Sequence, residues 1–169
     1  GRAVRAQGKM RGDILATIRG VSARADVQSD RLLLSGWSHG GWGIMEAMSS
    51  ARRPGDLGLA DPSGVDLEAI KATFLAYPYV GIAAPNRMRP WRHCPQTLSV
   101  IAERDHLTTV RNAERIQSMI RDCGAQVETW VAPGTHSFDE PMTAPPMRYD
   151  EALSQEAIER FATLLKGVA

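Results

Sequence analysis

The sequence predicts an α/β fold built on a parallel sheet of about four strands flanked by helices. Short apolar runs alternate with stretches in which apolar residues recur at helical spacing, which is the pattern of successive strand–helix units. The runs do not alternate strictly with polar residues, which is typical of strands buried on both faces. We expect residues 1–169 to form a single domain, because no repeat or low-complexity segment divides a chain of this length.

The elements follow one another in βα order. In chain order we predict a helix over 11–25, a strand over 31–37, a helix over 42–51, strands over 74–77 and 96–103, a helix over 109–123, a strand over 126–131 and a helix over 154–166. Helical spacing assigns the buried faces to Ile14, Leu15, Ile18 and Val21, to Ala113, Ile116, Met119 and Ile120, and to Ile158, Phe161 and Leu165. Gly124 is placed to end its helix, residues 133–136 are predicted as a turn, and 52–66 and 85–95 as loops.

Residues 36–40, Gly-Trp-Ser-His-Gly, form a G-x-S-x-G motif between a predicted strand and a predicted helix. In that context the motif indicates a nucleophile elbow, which holds a serine in a strained turn with its hydroxyl above the sheet edge. Gly36 and Gly40 have no Cβ to clash with the neighbouring strand and helix, and Gly41 lets the helix pack closely. We therefore predict Ser38 as a nucleophile, against the alternative of an inert serine in a glycine-rich turn.

A serine hydroxyl needs a base to take its proton, and that base is commonly a histidine oriented by a carboxylate. Asp105 follows the third predicted strand and His136 follows the fourth, in the chain order Ser, Asp, His. Because the carboxyl ends of parallel strands meet at one edge, we expect Ser38, Asp105 and His136 to lie together there.

The remaining candidates fit these roles less well. His39 begins the elbow helix, where backbone N–H groups favour negative charge, so we assign its N–H as an oxyanion donor. His93 lies in a proline-rich loop, as a surface or pocket residue, and His106 precedes the last strand. Glu103 is the rival acid but falls within a predicted strand, and Asp139 follows His136, where a turn or helix-cap carboxylate is the favoured interpretation.

Three segments carry a resemblance to a known family: Gly-Trp-Ser-His-Gly-Gly at 36–41, Glu-Arg-Asp-His-Leu-Thr at 103–108 and Pro-Gly-Thr-His-Ser-Phe-Asp at 133–139. Together they resemble the dienelactone hydrolase family of α/β-hydrolases, over about residues 13–165. The resemblance implies hydrolysis of a small-molecule ester or lactone through an acyl-enzyme, with no metal or other cofactor. By position it implies Ser38 as nucleophile, Asp105 as acid, His136 as base and the His39 N–H as oxyanion donor.

The chain departs from that family in two respects. The members that name the family carry cysteine at the nucleophile position, where this chain has Ser38. The family fold also has further amino-terminal strands, and this chain begins at Gly1. We therefore expect a partial α/β-hydrolase fold, the carboxyl-terminal portion of a longer protein. Its open sheet edge would pair with the missing amino-terminal half or self-associate.

Composition excludes some other classes of function. With 20 Lys and Arg against 19 Asp and Glu, the net charge of +1 provides no basic surface for nucleic acid or a membrane. No apolar run approaches the roughly 20 residues that span a bilayer, and no signal peptide is recognisable. We expect a cytoplasmic location. An exported form stays an alternative, because the sequence begins at Gly1 and not at a methionine. Cys94 and Cys123 are interpreted as structural thiols, with a single disulfide as the alternative, and their spacing does not indicate zinc.

Two questions of function stay open at this level. The alternatives to an esterase are the catalytic portion of a prolyl-oligopeptidase-type peptidase, and an inactive hydrolase-like fragment or binding scaffold. Aromatic residues either line an acyl pocket or, more commonly at such spacing, belong to the core; they are Trp37, Trp42, Tyr77, Tyr79 and Trp91. The arginine clusters at 52–53 and 87–92 are interpreted as solvated surface.

Overall fold

A computed structural model of the chain describes residues 2–49, 59, 61, 63–81 and 91–168, with side chains described from Met10 onward. In that part of the chain the helices are α1 (Arg2–Ser22), α2 (His39–Met48), α3 (Val110–Arg121) and α4 (Glu151–Val168). The strands are β1 (Leu32–Trp37), β2 (Ile70–Ala76), β3 (Gln96–Arg104) and β4 (Val127–Thr135). They form one parallel sheet in the order β1-β2-β3-β4, which confirms the predicted fold class.

Helices cover both faces of the sheet. Successive side chains of a strand point to opposite faces, so Phe74 and Leu75 of β2 belong to different core clusters. Leu75 packs in the cluster that contains Leu15 of α1 and Ile116 of α3. Phe74 packs in the cluster of α4, where its ring lies 5.0 Å from that of Phe161. β2 and β3 are thus buried on both faces over most of their length.

The strand β4 is longer than predicted. It continues to Thr135, so residues 133–135, predicted to begin a turn, belong to the strand. Pro133 cannot donate a backbone hydrogen bond, but β4 lies at one end of the described sheet, where proline is tolerated. The register shifts between Ala102 and Arg104 of the neighbouring strand, where Arg104 pairs with Thr135. The extension carries the chain directly to His136.

The predicted buried faces of two helices need correction. In α4 the inward residues are Leu153, Ala157 and Leu164, whereas Ile158 and Leu165 are 57% and 48% exposed. In α1, which begins at Arg2 rather than at residue 11, Leu15 and Ile18 are buried, whereas Val21 is 36% exposed. In α4 two of the three residues predicted to be buried are thus exposed, and in α1 one of the four is exposed. The prediction for α3 fits better, because Ala113, Ile116 and Ile120 are buried and Met119 is partly buried against the core.

The structure joins Cys94 and Cys123 in a disulfide, with their Cα atoms 6.2 Å apart. The interpretation of both as thiols is therefore wrong, and the alternative of a single disulfide is confirmed.

None of the helices in the described ranges has the length and apolar composition needed to cross a bilayer. The arginine pair at 52–53 and most of the cluster at 87–92 lie outside the described residues, as does most of the proline-rich loop at 85–95.

Candidate active site

Ser38 occupies a strained turn between β1 and α2. Its φ of 47° and ψ of −112° fall in a region that residues other than glycine rarely adopt. Backbone hydrogen bonds hold it there: its N–H donates to the carbonyl of Ala76 at 2.9 Å, and its carbonyl accepts from Trp42 at 3.1 Å and Tyr79 at 3.0 Å. The end of β2 and the first turn of α2 therefore fix the position of the Ser38 hydroxyl.

Two glycines make this turn possible. A Cβ on Gly36 would lie 2.7 Å from backbone atoms of Gly40 and Gly41, and a Cβ on Gly41 would lie 2.9 Å from the Cβ of Pro78. A Cβ on Gly40 would meet nothing within 4 Å in the described structure. The predicted steric reason for glycine thus applies at Gly36 and at Gly41, and is wrong for Gly40.

A continuous chain of hydrogen bonds links three side chains above the carboxyl edge of the sheet. The Nε2 atom of His136 lies 2.7 Å from the Oγ of Ser38, and its Nδ1 lies 2.7 Å from the Oδ2 of Asp105. His136, Ser38 and Asp105 directly follow β4, β1 and β3, so the parallel topology places them at the same edge of the sheet. The side chains of His136 and Asp105 are only 3% and 2% exposed. The structure therefore brings together the three residues proposed from the sequence.

The Asp105 carboxylate is held by the turn that follows β3. Its Oδ1 accepts from the backbone N–H groups of Leu107 at 2.7 Å and Thr108 at 3.0 Å, which leaves Oδ2 for His136. The rival acid, Glu103, lies within β3 and is exposed. Asp105 thus fixes both the position of the imidazole and its tautomer, with the Nδ1 proton toward the carboxylate.

His39 is the first residue of α2, directly after Ser38. The first N–H groups of a helix have no partner within the helix, and the helix dipole favours an anion there. The His39 N–H is thus placed beside the Ser38 hydroxyl at a helix amino terminus. Its role as an oxyanion donor stays a prediction.

The two other histidines do not touch Ser38. His106 is exposed, and its ring lies 5.9 Å from the ring of His136. His93 lies away from this edge: its Nε2 is 2.7 Å from the carbonyl oxygen of Ile70, at the start of β2, and its Nδ1 is 3.3 Å from Glu68. Neither is placed to act as the base.

Sequence reasoning missed a second hydrogen-bonded group beside Ser38. Asp139 accepts from the indole Nε1 of Trp37 at 2.6 Å through Oδ2, and from the phenol of Tyr77 through Oδ1. The Tyr77 ring lies 4.7 Å from that of His136, so this group packs against the imidazole. Burial and the hydrogen bond to Asp139 raise the pKa of the Tyr77 phenol, so the phenol remains a donor. Asp139 lies in a turn, as the favoured interpretation had it, but its carboxylate accepts from two side chains at the ends of other strands and does not cap a helix.

Of the five aromatic residues, Trp37 lines a cleft, Tyr77 belongs both to the cleft wall and to a core cluster, and the other three lie in or against the core. Trp37 and Tyr77 line a cleft of about 390 Å³ that reaches Ser38, together with Ser137, Asp139 and Glu140. Trp42 and Trp91 are buried in the core, and Tyr79 packs against Trp42 with ring centroids 5.8 Å apart.

Among the described residues no group of three or more His, Cys, Asp or Glu side chains is arranged to hold a metal ion.

The parallel sheet, the serine at a strand-to-helix turn and the helices on both faces define an α/β-hydrolase fold. A dienelactone hydrolase-like promiscuous phosphotriesterase from metagenomic libraries matches with a TM-score of 0.72 at 14% identity, covering 94% of this chain and 61% of its own. A carboxylesterase from Lactobacillus plantarum matches with a TM-score of 0.71 at 14% identity, covering 94% and 68%. Esterase 2 from Thermogutta terrifontis, phosphorylated by paraoxon, matches with a TM-score of 0.75 at 16% identity, covering 94% and 63%.

These likenesses confirm, at the level of the fold, the resemblance to dienelactone hydrolase-like α/β-hydrolases. The chain spans only 61–68% of the length of these three proteins, so it corresponds to part of their fold. No protein-family model matches the sequence, and no curated protein sequence matches it significantly.

Proposed function

We propose that this chain carries the catalytic residues of a serine hydrolase that cleaves carboxylic esters or lactones through an acyl-enzyme. The observation that carries the proposal is the hydrogen-bonded chain Ser38–His136–Asp105, with both contacts at 2.7 Å. A serine so bonded to a buried, carboxylate-oriented histidine is an activated nucleophile.

The reaction follows from the protons that these groups can exchange. The Nε2 atom of His136 takes the Ser38 proton as Oγ attacks the carbonyl carbon, and Asp105 stabilises the imidazolium that forms. The His39 N–H donates to the oxyanion of the tetrahedral intermediate. The imidazolium then protonates the leaving alkoxide, the C–O bond breaks and the acyl group stays on Ser38. A water molecule, deprotonated by His136, releases the acid by the same steps in reverse order.

The names of the structural neighbours support ester chemistry rather than the peptidase alternative. They are a carboxylesterase, an esterase and a phosphotriesterase of dienelactone hydrolase type. The paraoxon-phosphorylated state of the Thermogutta esterase also shows that a protein of this fold forms covalent phosphoryl adducts. A fluorophosphonate is therefore a suitable probe for this chain.

The test is covalent labelling of the chain with an alkyl fluorophosphonate, mapped by peptide mass spectrometry. We expect an adduct on Ser38, formed roughly 10²–10⁴-fold more slowly in His136→Ala, because the general base is lost. The matched control is His106→Ala, which removes the neighbouring exposed imidazole and should label like the unmodified chain. An unlabelled Ser38, or equal labelling of His136→Ala, would exclude the proposed mechanism.

A further inference from the structure

We infer that Asp139 is a specificity-determining residue, which makes the cleft beside Ser38 select neutral or cationic esters over esters that carry a carboxylate. The inference rests on the proposed function, since it concerns the substrate of the same serine.

The cleft is placed to receive part of the substrate. It has a volume of about 390 Å³, and Ser38 forms part of its lining. That size suits a short acyl or alkyl group, since clefts for drug-sized ligands run from about 300 to 1,000 Å³. A substituent of the reacting carbonyl carbon that enters this cleft therefore lies close to the Asp139 carboxylate.

Asp139 is held rigidly in the cleft wall. Its Oδ2 accepts from Trp37 at 2.6 Å, and its Oδ1 accepts from the phenol of Tyr77, so both oxygens are engaged by aromatic residues that line the cleft. These residues end β1 and follow β2, whereas Asp139 follows β4, so the three come from separate strands. Both donors are neutral and leave the negative charge of the carboxylate in place.

The described lining offers no charge to offset Asp139. The other ionisable carboxylate there is Glu140, which is exposed at the rim and accepts from the Met142 N–H at 3.2 Å. None of the described residues that line the cleft is a lysine or an arginine. Trp37 is 42% exposed and so presents part of its ring system to the cleft. An aromatic face beside carboxylates attracts an organic cation and repels an anion.

We therefore expect the rate at which a substrate reacts with Ser38 to depend on the charge of the group that enters the cleft. A carboxylate at the end of the acyl chain would lie near Asp139 and Glu140, where the like charges repel. We expect such a substrate to react about tenfold more slowly than its neutral isostere. A trimethylammonium group at the same position should react at least as fast as the neutral chain.

The experiment uses three alkyl fluorophosphonates of equal length that end in methyl, carboxylate or trimethylammonium. The rate of Ser38 modification is measured for each. In Asp139→Asn the ratio of the carboxylate rate to the methyl rate should rise about tenfold, because the amide removes the charge. The amide oxygen can still accept from Trp37, and the amide nitrogen can donate to the Tyr77 phenol, so the wall is retained. In about 1 M salt the discrimination by the unmodified chain should weaken, because exposed charges are then screened.

The matched control is Asp122→Asn, which removes the same charge at the exposed carboxyl-terminal cap of α3, at the opposite edge of the sheet. It should leave the ratio unchanged, and Glu140→Gln should raise the ratio by less than Asp139→Asn does. Equal rates for the three probes with the unmodified chain would overturn the inference and leave the hydrolase proposal intact. So would an unchanged ratio in an Asp139→Asn variant whose thermal unfolding matches that of the unmodified chain. Failure of the methyl probe to modify Ser38 would overturn both.

Discussion

The imidazole of His136 can act as a base only with its free lone pair directed at Ser38. Asp105 secures this by accepting a hydrogen bond from Nδ1–H, with Nδ1 and Oδ2 2.7 Å apart, while two backbone N–H groups donate to its other oxygen. The pair is almost completely buried, with side-chain exposures of 3% and 2%.

Replacing Asp105 by asparagine should abolish most of the activity without removing the nucleophile. The amide can donate to Nδ1, which favours the tautomer whose proton points at Ser38, and we expect kcat for a neutral ester to fall by roughly 10⁴. Steady-state hydrolysis measures this directly. Glu103→Gln, which changes an exposed carboxylate of β3, is the matched control and should stay within about twofold, since exposed changes of this kind have small effects. A similar loss in both variants would contradict the assignment of the acid.

For single residues, chain order and the predicted strand ends were sufficient to predict that Ser38, Asp105 and His136 lie together. In a parallel sheet, the residues that follow the strands meet at one edge. The contacts of Asp139 could not be predicted in that way. Its partners, Trp37 and Tyr77, lie 102 and 62 residues away along the chain, and no local spacing relates them. Their position at the ends of β1 and β2 was the available signal, but an aromatic residue at a strand end is equally typical of the core.

The turn from β1 into α2 depends on close contact between its own two ends. Gly36 lies in β1, and an added Cβ there would fall 2.7 Å from the backbone of Gly40 and Gly41 in α2. Backbone cannot move away as the end of a flexible side chain can. The strain at Ser38 is therefore maintained by the packing of the strand against the helix that follows it.

The contrast between two alanine substitutions tests this account of the turn. We expect Gly36→Ala to lower the free energy of unfolding by about 1–3 kcal/mol and to slow Ser38 labelling, because relief of the overlap must displace the turn. Gly40→Ala meets no atom within 4 Å and replaces glycine in a helix, so it should change stability by no more than about 1 kcal/mol, in the stabilising direction. Urea unfolding and labelling rates provide both readouts. Equal effects of the two substitutions would show that the contact at Gly36 does not hold the turn.

Element positions were predictable where one periodicity dominated the sequence. In α4 apolar residues occupy two adjacent stripes, and only the position of the sheet selects Leu153, Ala157 and Leu164 over Ile158 and Leu165. That choice depends on tertiary contacts, which helical spacing does not contain. The extension of β4 through Pro133 was missed for a related reason, because proline ends a strand only when its absent N–H is needed by a neighbour.

At the scale of the whole molecule, the predicted parallel sheet follows from the repeated strand–helix pattern, and the three proposed catalytic residues directly follow the carboxyl ends of three of its strands. The disulfide between Cys94 and Cys123 was left open by the sequence, since a pair of cysteines carries no information on their distance. It closes a segment of the chain that contains β3, Asp105 and α3. Disulfides persist mainly outside the reducing cytosol, and the cellular compartment stays a prediction.

Reduction of this disulfide should destabilise the whole domain. The bond joins residues with a sequence separation of 29, for which the loss of chain entropy in the unfolded state corresponds to about 3–4 kcal/mol. We expect the urea midpoint of the unmodified chain to fall on adding reductant, with the free thiols verified by mass spectrometry. The Cys94→Ser/Cys123→Ser double variant should unfold near the reduced midpoint and show no response to reductant. If the reduced and oxidised chains unfold at the same urea concentration, the cross-link does not constrain the unfolded chain, and packing alone holds β3 and α3 in place around Asp105.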